Sequence, residues 1–392
     1  MEAGRIKAAA VVLGSNINAL SIVSELKEKG VGPVLVLRKD SHLVGWSRQP
    51  DRQVKFDYSE PGELKKVLLK LRVKYEYLVL FPTADQDIEL MRVIDKEIES
   101  FCFLPFNVKN VISSLDKTVQ YSHCEKLRIP FPETLDIKKV EDVDGISKLK
   151  FPIIIKPTKN MDCKIDVFRN FIIQDENHLA EFRSKLFEPI SEGVSFLASE
   201  IIPGNGNNIY AYVAYRSKKG VILNEWIGKK LAQFPDDFGV FSSGSNEAPE
   251  IVREQGRKLL EGMNLFGIVE PEFKYDHRDG KYKLMEVNLR SMMWHRVGNL
   301  SGVNLQYTQW LDALGMETEK QRQQLTRKIH FVYLQYEILN LLGRKSYWRT
   351  FRYNLLKGDK VFFAELQRQD ILPFLYTITI TILRALKRCL KL

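Results

Sequence analysis

The sequence predicts a mixed α/β (α+β) protein: an N-terminal doubly wound domain, a larger α+β body and a helical C-terminal extension. Three observations carry that expectation. A strand–glycine turn–helix–strand order opens the chain at Lys7–Leu37, a hairpin signature covers Phe266–Asn288, and after Gly315 the chain turns basic, aromatic and helix-patterned.

A chain of 392 residues can bury a sizeable core and divide into two or three domains. Hydrophobic residues at 44% and charged residues at 28% exclude a disordered protein. The net charge of +10 admits nucleic acid, an anionic membrane or a polyanionic substrate as partner. No Lys/Arg block is dense enough to demand nucleic acid, so none is expected. Cys102, Cys124, Cys163 and Cys389 show neither metal spacing nor CxxC and read as reduced thiols of a cytoplasmic protein. The N-terminus runs into a strand rather than a signal peptide, and no run reaches the roughly 20 apolar residues of a membrane span.

In chain order, Lys7–Leu13 (KAAAVVL) reads as a buried strand, Gly14-Ser15-Asn16 as a turn, then a helix through Leu26 and a strand at Val34–Leu37. The turn lacks a full GxGxxG and stands equally as a plain βα turn or a binding loop. Gly62–Lys74 is helical, Tyr77–Phe81 a buried strand, and Pro82-Thr83-Ala84-Asp85 caps a helix through Lys96. Phe101–Phe103 is an edge strand, and the domain closes near Ser114. Ser114-Leu115-Asp116-Lys117 signals a helix start, with Lys117–Leu127 as the helix. Phe151–Pro157 (FPIIIKP), Phe168–Ile173, Phe196–Ile202, Tyr210–Tyr215 and Gly220–Ile227 read as strands; His178–Leu186 and Glu250–Met263 read as helices.

The hairpin is the chemical centre. Alternation puts Glu286 and Asn288 on one face of their strand, and a fold symmetric about Asp279 sets Glu272 opposite Glu286. Two carboxylates and an amide oxygen suit Mg²⁺, although acids on the wet face of a hairpin are common. Lys117 follows Asp116 at a helix start, Lys156 ends a buried strand, and Lys229-Lys230 follow Trp226-Ile227-Gly228. Lys156 either snorkels to solvent or meets an anion such as a nucleotide phosphate. The backbone beside Glu200 can meet an adenine edge, and Asn207 or Asn208 a ribose hydroxyl. No Ser/His/Asp or Cys/His nucleophile signature is present, and His295 reads as packed or surface rather than catalytic.

The order of these segments resembles the ATP-grasp superfamily of ATP-dependent carboxylate–amine ligases, over roughly residues 7–310. The nearest branch is the D-aspartate-ligase-like enzymes, which include modifiers of cell-envelope or capsular glycans. The resemblance rests on Pro82–Asp85, Asp116-Lys117, Phe151–Pro157, Glu200–Gly204, Gly228–Leu231, Pro235–Gly239, Glu272–Asp276 and Glu286–Arg290. It implies a Rossmann-like domain at 1–114, a small lid subdomain at 115–198, a large subdomain with the metal site at 199–315 and a basic helical extension at 316–392. It further implies that Lys117 and Lys156 hold ATP phosphates and that Glu200, Ile201 and Ile202 line the adenine hinge. Asn208 or Asn207 would bind ribose. Lys230, or Lys229, would approach the γ-phosphate. Glu272, Glu286 and Asn288 would ligate Mg²⁺, with Mn²⁺ as a substitute. Arg290 would steady an anionic intermediate or bind a substrate carboxylate. The implied partners are ATP, a free or glycan-linked carboxylate and an amine such as an amino acid. A homodimer is among the open oligomeric states.

Two departures stand out. The loop Pro157–Lys164 holds no glycine, and Glu270 stands where other ligases of the superfamily carry arginine two residues before the first metal acid. They leave a nucleotide-binding regulator without ligase chemistry as the alternative. In the tail, Ile371–Leu383 is apolar and Thr-rich and is followed by Arg384, Lys387, Arg388 and Lys391. The segment 371–392 either packs on the body or lies on the inner face of an anionic membrane.

Overall fold

A computed structural model describes residues 6–40, 42–55, 60–158, 167–168, 170–236, 239–323, 327–367 and 369–389. Two compact units divide the chain. The first joins Met1–Ile112, Asn205–Pro271 and Asn288–Leu392; the second joins Ser113–Gly204 and Glu272–Val287.

In the first unit, β1 (Ile6–Leu13) lies at the centre of a parallel sheet with β2 (Val34–Arg38), β3 (Arg52–Lys55), β4 (Tyr75–Phe81) and β5 (Cys102–Phe103) in the order β3-β2-β1-β4-β5. Ala8–Leu13 is buried throughout, as a parallel strand covered on both faces requires. Ala8, Ala10 and Val12 pack in one cluster with Leu20 and Val23 of helix Ile17–Glu28. That helix starts on Asn16, whose side chain accepts the Ala19 N–H at 3.1 Å.

The second unit is built on an antiparallel sheet in the order β6-β9-β7-β8, from β6 (Thr134–Ile137), β7 (Ile153–Pro157), β8 (Phe171–Ile173) and β9 (Phe196–Glu200). Ile153, Ile155, Phe196 and Ala198 alternate onto a core that Leu179, Phe182 and Leu186 complete. The expected helix His178–Leu186 is two helices, Glu176–Phe182 and Ser184–Ser191, joined at Arg183. The strand expected to start at Phe168 starts at Phe171. Residues 159–166, most of the glycine-free loop, and 237–238 lie outside the described residues.

The strands of the large sheet are β10 (Ile209–Arg216), β11 (Ile222–Phe234), β12 (Val240–Ser245), β13 (Gly267–Asp276), β14 (Lys281–Asn288), β15 (Gln321–Arg322), β16 (Ile329–Val332) and β17 (Lys360–Phe363). They run in the order β14-β13-β10-β11-β12-β16-β17, with β15 also on β11. The expected hairpin is therefore present, as neighbours β13 and β14. Gly228 on β11 is required by close approach: a Cβ there would stand 2.6 Å from the Ser245 carbonyl oxygen and 2.5 Å from the Trp226 ring. The C-terminal extension departs from the purely helical expectation. Ile329–Val332 is four buried residues, too short to show a period in the sequence, and it pairs with β12 and β17. Helices Leu334–Gly343, Trp348–Leu356 and Leu372–Cys389 make up the rest. Among the described residues no helix is long and apolar enough to cross a membrane.

Candidate functional site

In the second unit, Asp116 caps helix Lys117–Leu127 by accepting the Thr118 N–H at 2.8 Å, which places Lys117 in the first turn. The helix is fastened to the chain at Glu272–Val287. Gln120 accepts the Val287 N–H at 3.0 Å, and the Tyr121 hydroxyl donates to the Met285 carbonyl at 3.0 Å. Lys117 Nζ thereby meets Glu286 Oε2 at 2.9 Å. Burial works against the Lys117 charge, but Glu286 first, then Tyr121 and Glu272, overcome it and hold the ammonium above its ordinary range. Of the three expected metal ligands, Glu286 thus bonds this cation directly and Glu272 acts on it through its charge. Burial pushes the Tyr121 phenol up to about 12.

Lys156 is half-buried beyond the buried run Ile153–Ile155, in register with Leu197 of β9. Glu200 is buried and engaged: it accepts the Lys150 N–H at 3.1 Å and Arg278 Nη2 at 3.4 Å. Arg278 also grips Asp276. Its hydrogen bonds, with Lys283 at 2.7 Å, hold that buried carboxyl well below the usual carboxylate range. The Ile201 N–H is used internally, donating to the Pro152 carbonyl at 3.0 Å, and the Ile202 side chain is buried.

In the first unit, Asn207 and Asn208 form a short 3-10 turn with Gly206. Lys229 and Lys230 sit on opposite faces of β11. Lys229 is half-buried over the Tyr210 ring at 5.4 Å, and Lys230 is buried just before a register shift. Arg290 is ion-paired with Asp85 at 2.7 Å in the first turn of helix Asp85–Val93. Asp87 in the same turn accepts the Thr83 and Ala84 N–H groups, and burial pushes its carboxyl up to about 6.

Asn288 donates its amide N–H to Glu270 at 3.5 Å, which turns its oxygen away from that carboxylate. Glu270 is fully buried and also meets Trp294 Nε1 at 2.9 Å and His295 Nε2 at 2.6 Å. The Met292 N–H donates to His295 Nδ1 at 3.2 Å, so the ring proton sits on Nε2 and is given to Glu270. His295 is thus a packed residue, as expected. Its bond to Glu270 was not anticipated from the sequence; the only local signal is that Glu270 and Glu272 share one strand face. Among the described residues no group of three His, Cys, Asp or Glu is arranged for a metal. The expected set, two carboxylates and an amide, is of hard oxygen donors, which fits magnesium with waters completing the shell.

A second feature of the first unit was half-visible in sequence. A cleft of about 320 Å³ opens at the carboxyl ends of β1 and β4, where the strand order reverses. Ser15, Asn16, Asp40, His42, Thr83 and Asp87 line it. The Ser15 hydroxyl donates to Asp40 and, as the largest cause, lowers that carboxyl's pKa. Gly14-Ser15-Asn16 therefore lines a cleft rather than only turning the chain.

No family model matches the chain. The chain is 24% identical over 243 residues to the D-aspartate ligase of Enterococcus faecium (strain Aus0004), covering 59% of this chain and 58% of that protein. It therefore spans less than two thirds of that relative's length. N5-carboxyaminoimidazole synthetase from Staphylococcus aureus, complexed with ADP, superposes with a TM-score of 0.64 at 14% identity over 88% of this chain and 86% of that one. The L-amino acid ligase from Bacillus licheniformis gives 0.58 at 15% identity, over 79% and 75%. The chain has the ATP-grasp fold. The resemblance on the ordered segments and the mixed α/β class both agree with this.

Proposed function

We propose that the chain is an ATP-dependent carboxylate–amine ligase that forms an amide and releases ADP and phosphate. The observation that carries the reading is Lys117 bonded to Glu286 at 2.9 Å, with Glu272 adding to the charge that holds the ammonium. Such a cluster is arranged to exchange one cation for another when a nucleotide phosphate arrives and draws the lysine to itself.

The residues then divide the work. Lys117 and Lys156 hold phosphate oxygens, and Lys230, or Lys229, draws charge from the γ-phosphate. Glu200, Ile201 and Ile202 line the adenine hinge, Glu200 through its fixed position rather than its occupied carboxylate. Asn208 or Asn207 takes the ribose. Glu272, Glu286 and the Asn288 oxygen would hold Mg²⁺, or Mn²⁺ in its place. The metal, when bound, neutralises charge on the transferring phosphoryl group. Arg290, released from Asp85, binds a substrate carboxylate. The substrate carboxylate attacks the γ-phosphorus of ATP, giving an acyl phosphate and ADP. The amine then attacks the acyl carbon, expels phosphate and yields the amide after losing a proton. The cleft, lined by Ser15, Lys39 and Asp40, offers both a cation and an acid to polar groups of a substrate. An amino acid as one substrate is supported by the name of the curated relative; its joining to a carboxylate of a cell-envelope or capsular glycan precursor is supported by the resemblance alone.

The test is ADP and phosphate release across a panel of acid and amine pairs, with Glu286→Ala beside the parent. Turnover by the parent that is lost in Glu286→Ala supports the reading. Turnover undiminished in Glu286→Ala removes the metal assignment. ATP binding without phosphate release on every pair favours a nucleotide-binding regulator, the reading suggested by Glu270 at an expected arginine position.

A further inference from the structure

Helix Leu372–Cys389 turns an aliphatic stripe to water. The side toward the body mixes apolar and hydroxyl groups: Pro373 and Thr377 are buried, Thr381 Oγ1 accepts from Gln335 Nε2 at 2.7 Å, and Tyr376 stacks on Trp46 at 5.5 Å. Asp370 fixes the approach to the helix by accepting the Ser47 hydroxyl at 2.6 Å and the Arg48 N–H at 3.0 Å. The side toward water is mainly aliphatic, with Thr379 among the exposed residues. Ile371, Leu375, Ile378 and Ile382 are 52%, 48%, 39% and 53% exposed. Spacings of four, three and four residues set them on one stripe of the helix. The Leu375 N–H donates to the Ile371 carbonyl at 3.1 Å, which carries the helical path back to Ile371. The neighbouring helices Leu334–Gly343 and Trp348–Leu356 also expose Leu342, Trp348 and Leu356.

Charge selects the occupant of this face. Residues 316–392 contain 15 Lys and Arg against 6 Asp and Glu, a net +9 of the chain's +10. Of those six acids, Glu337, Glu365 and Asp370 are buried, whereas Lys345, Arg349, Arg352, Lys357 and Lys360 are exposed. A second copy of the chain would bring one +9 region against another. A nucleic acid would meet the cations and could stack on the exposed Trp348, but it would leave Ile371, Leu375, Ile378 and Ile382 in water. An anionic bilayer satisfies both: acyl chains take the stripe and head groups take the cations.

We propose that helix Leu372–Cys389, with the basic region around it, docks the chain in the plane of an anionic lipid surface. The proposal stands apart from the ligase reading. Its test is sedimentation of the full chain with vesicles of equal parts phosphatidylglycerol and phosphatidylcholine, beside vesicles of phosphatidylcholine alone. At low salt the parent binds the anionic vesicles, with affinity at least ten-fold lower on the neutral ones. Ile378→Asp/Ile382→Asp and, separately, Arg349→Glu/Arg352→Glu each lower the affinity at least ten-fold while the thermal midpoint stays put. Should the aspartates lower that midpoint, Ile382→Gln carries the same comparison. Failure of the parent to bind anionic vesicles at low salt overturns the proposal, as does equal binding by the stripe variants. A parent dimer that the stripe variant dissolves, or a parent–oligonucleotide complex that it abolishes, would assign the face to those partners instead and equally overturn it.

Discussion

Replacing Glu270 by alanine removes the acceptor of two buried donors, the Trp294 indole N–H at 2.9 Å and the His295 imidazole N–H at 2.6 Å. Each stranded donor costs about 1–3 kcal/mol, and the vacated volume adds to that. The 3.5 Å contact with Asn288 is too long to add much. The expected loss is roughly 3–5 kcal/mol, a large share of the stability of an ordinary domain. Both donors bond the same oxygen, Oε2, so a glutamine whose carbonyl takes that place keeps both acceptors and loses only the charge, and Glu270→Gln should lose less, about 1–3 kcal/mol. All five tryptophans, Trp46, Trp226, Trp294, Trp310 and Trp348, belong to the first unit. Tryptophan emission in a urea titration therefore follows the unfolding of that unit alone. A loss under about 1 kcal/mol for Glu270→Ala would mean that the indole and imidazole have another acceptor, and the reasoning would fail. Equal losses for the two variants would count against the donor bookkeeping and leave packing as the cause.

Three further outcomes are expected. Glu286→Gln, which keeps the shape of the side chain but halves the anionic partnership of Lys117, should lower ATP-dependent ADP release by roughly 100-fold, read by a coupled assay. Burial pushes the Glu25 carboxyl up to about 7, against the Tyr307 N–H that bonds it. The folded chain then holds that proton longer than the unfolded chain, so stability falls as pH rises from about 4.5 to about 7. Glu25→Gln should unfold at higher urea than the parent at pH 8 and at nearly the same urea at pH 4.5. Gly228→Ala should cost about 1–3 kcal/mol or more, because the new Cβ meets the Ser245 backbone oxygen at 2.6 Å, which cannot swing aside as a side chain would. An unchanged urea midpoint would show that β11 and β12 can part there without penalty.

What the sequence reveals here is set by how far apart the interacting residues lie. The helix Lys117–Leu127 was readable to the residue, since its start is signalled by Asp116, an adjacent cap. The hairpin at Gly267–Asn288 and the parallel opening of the chain were legible for the same reason, through alternation and a local turn. Glu270 and His295 lie 25 positions apart and are joined only by the packing of β13 against the segment after β14. No period announces such a pair. Ser15 and Asp40 likewise become neighbours only when β1 and β2 pair in parallel. The strands after Gly315 were hidden because four residues cannot display a period against helices on both sides. The tail shows the opposite failure. An apolar run was visible, yet the natural guess that its apolar side faces inward is reversed at Leu375, Ile378 and Ile382.

The second unit is assembled from two stretches of chain, Ser113–Gly204 and Glu272–Val287. A fragment cut after Gly204 would keep Lys117 and Tyr121 but lack Glu286 and the Met285 carbonyl they hold. The unit therefore cannot be transplanted as a single cassette: a recombinant that swaps it between relatives needs four crossovers, one at each end of both stretches. Substitutions at Lys117 and Glu286 must travel together across those joints, or the helix at Lys117–Leu127 arrives in its new host with its cation facing no partner.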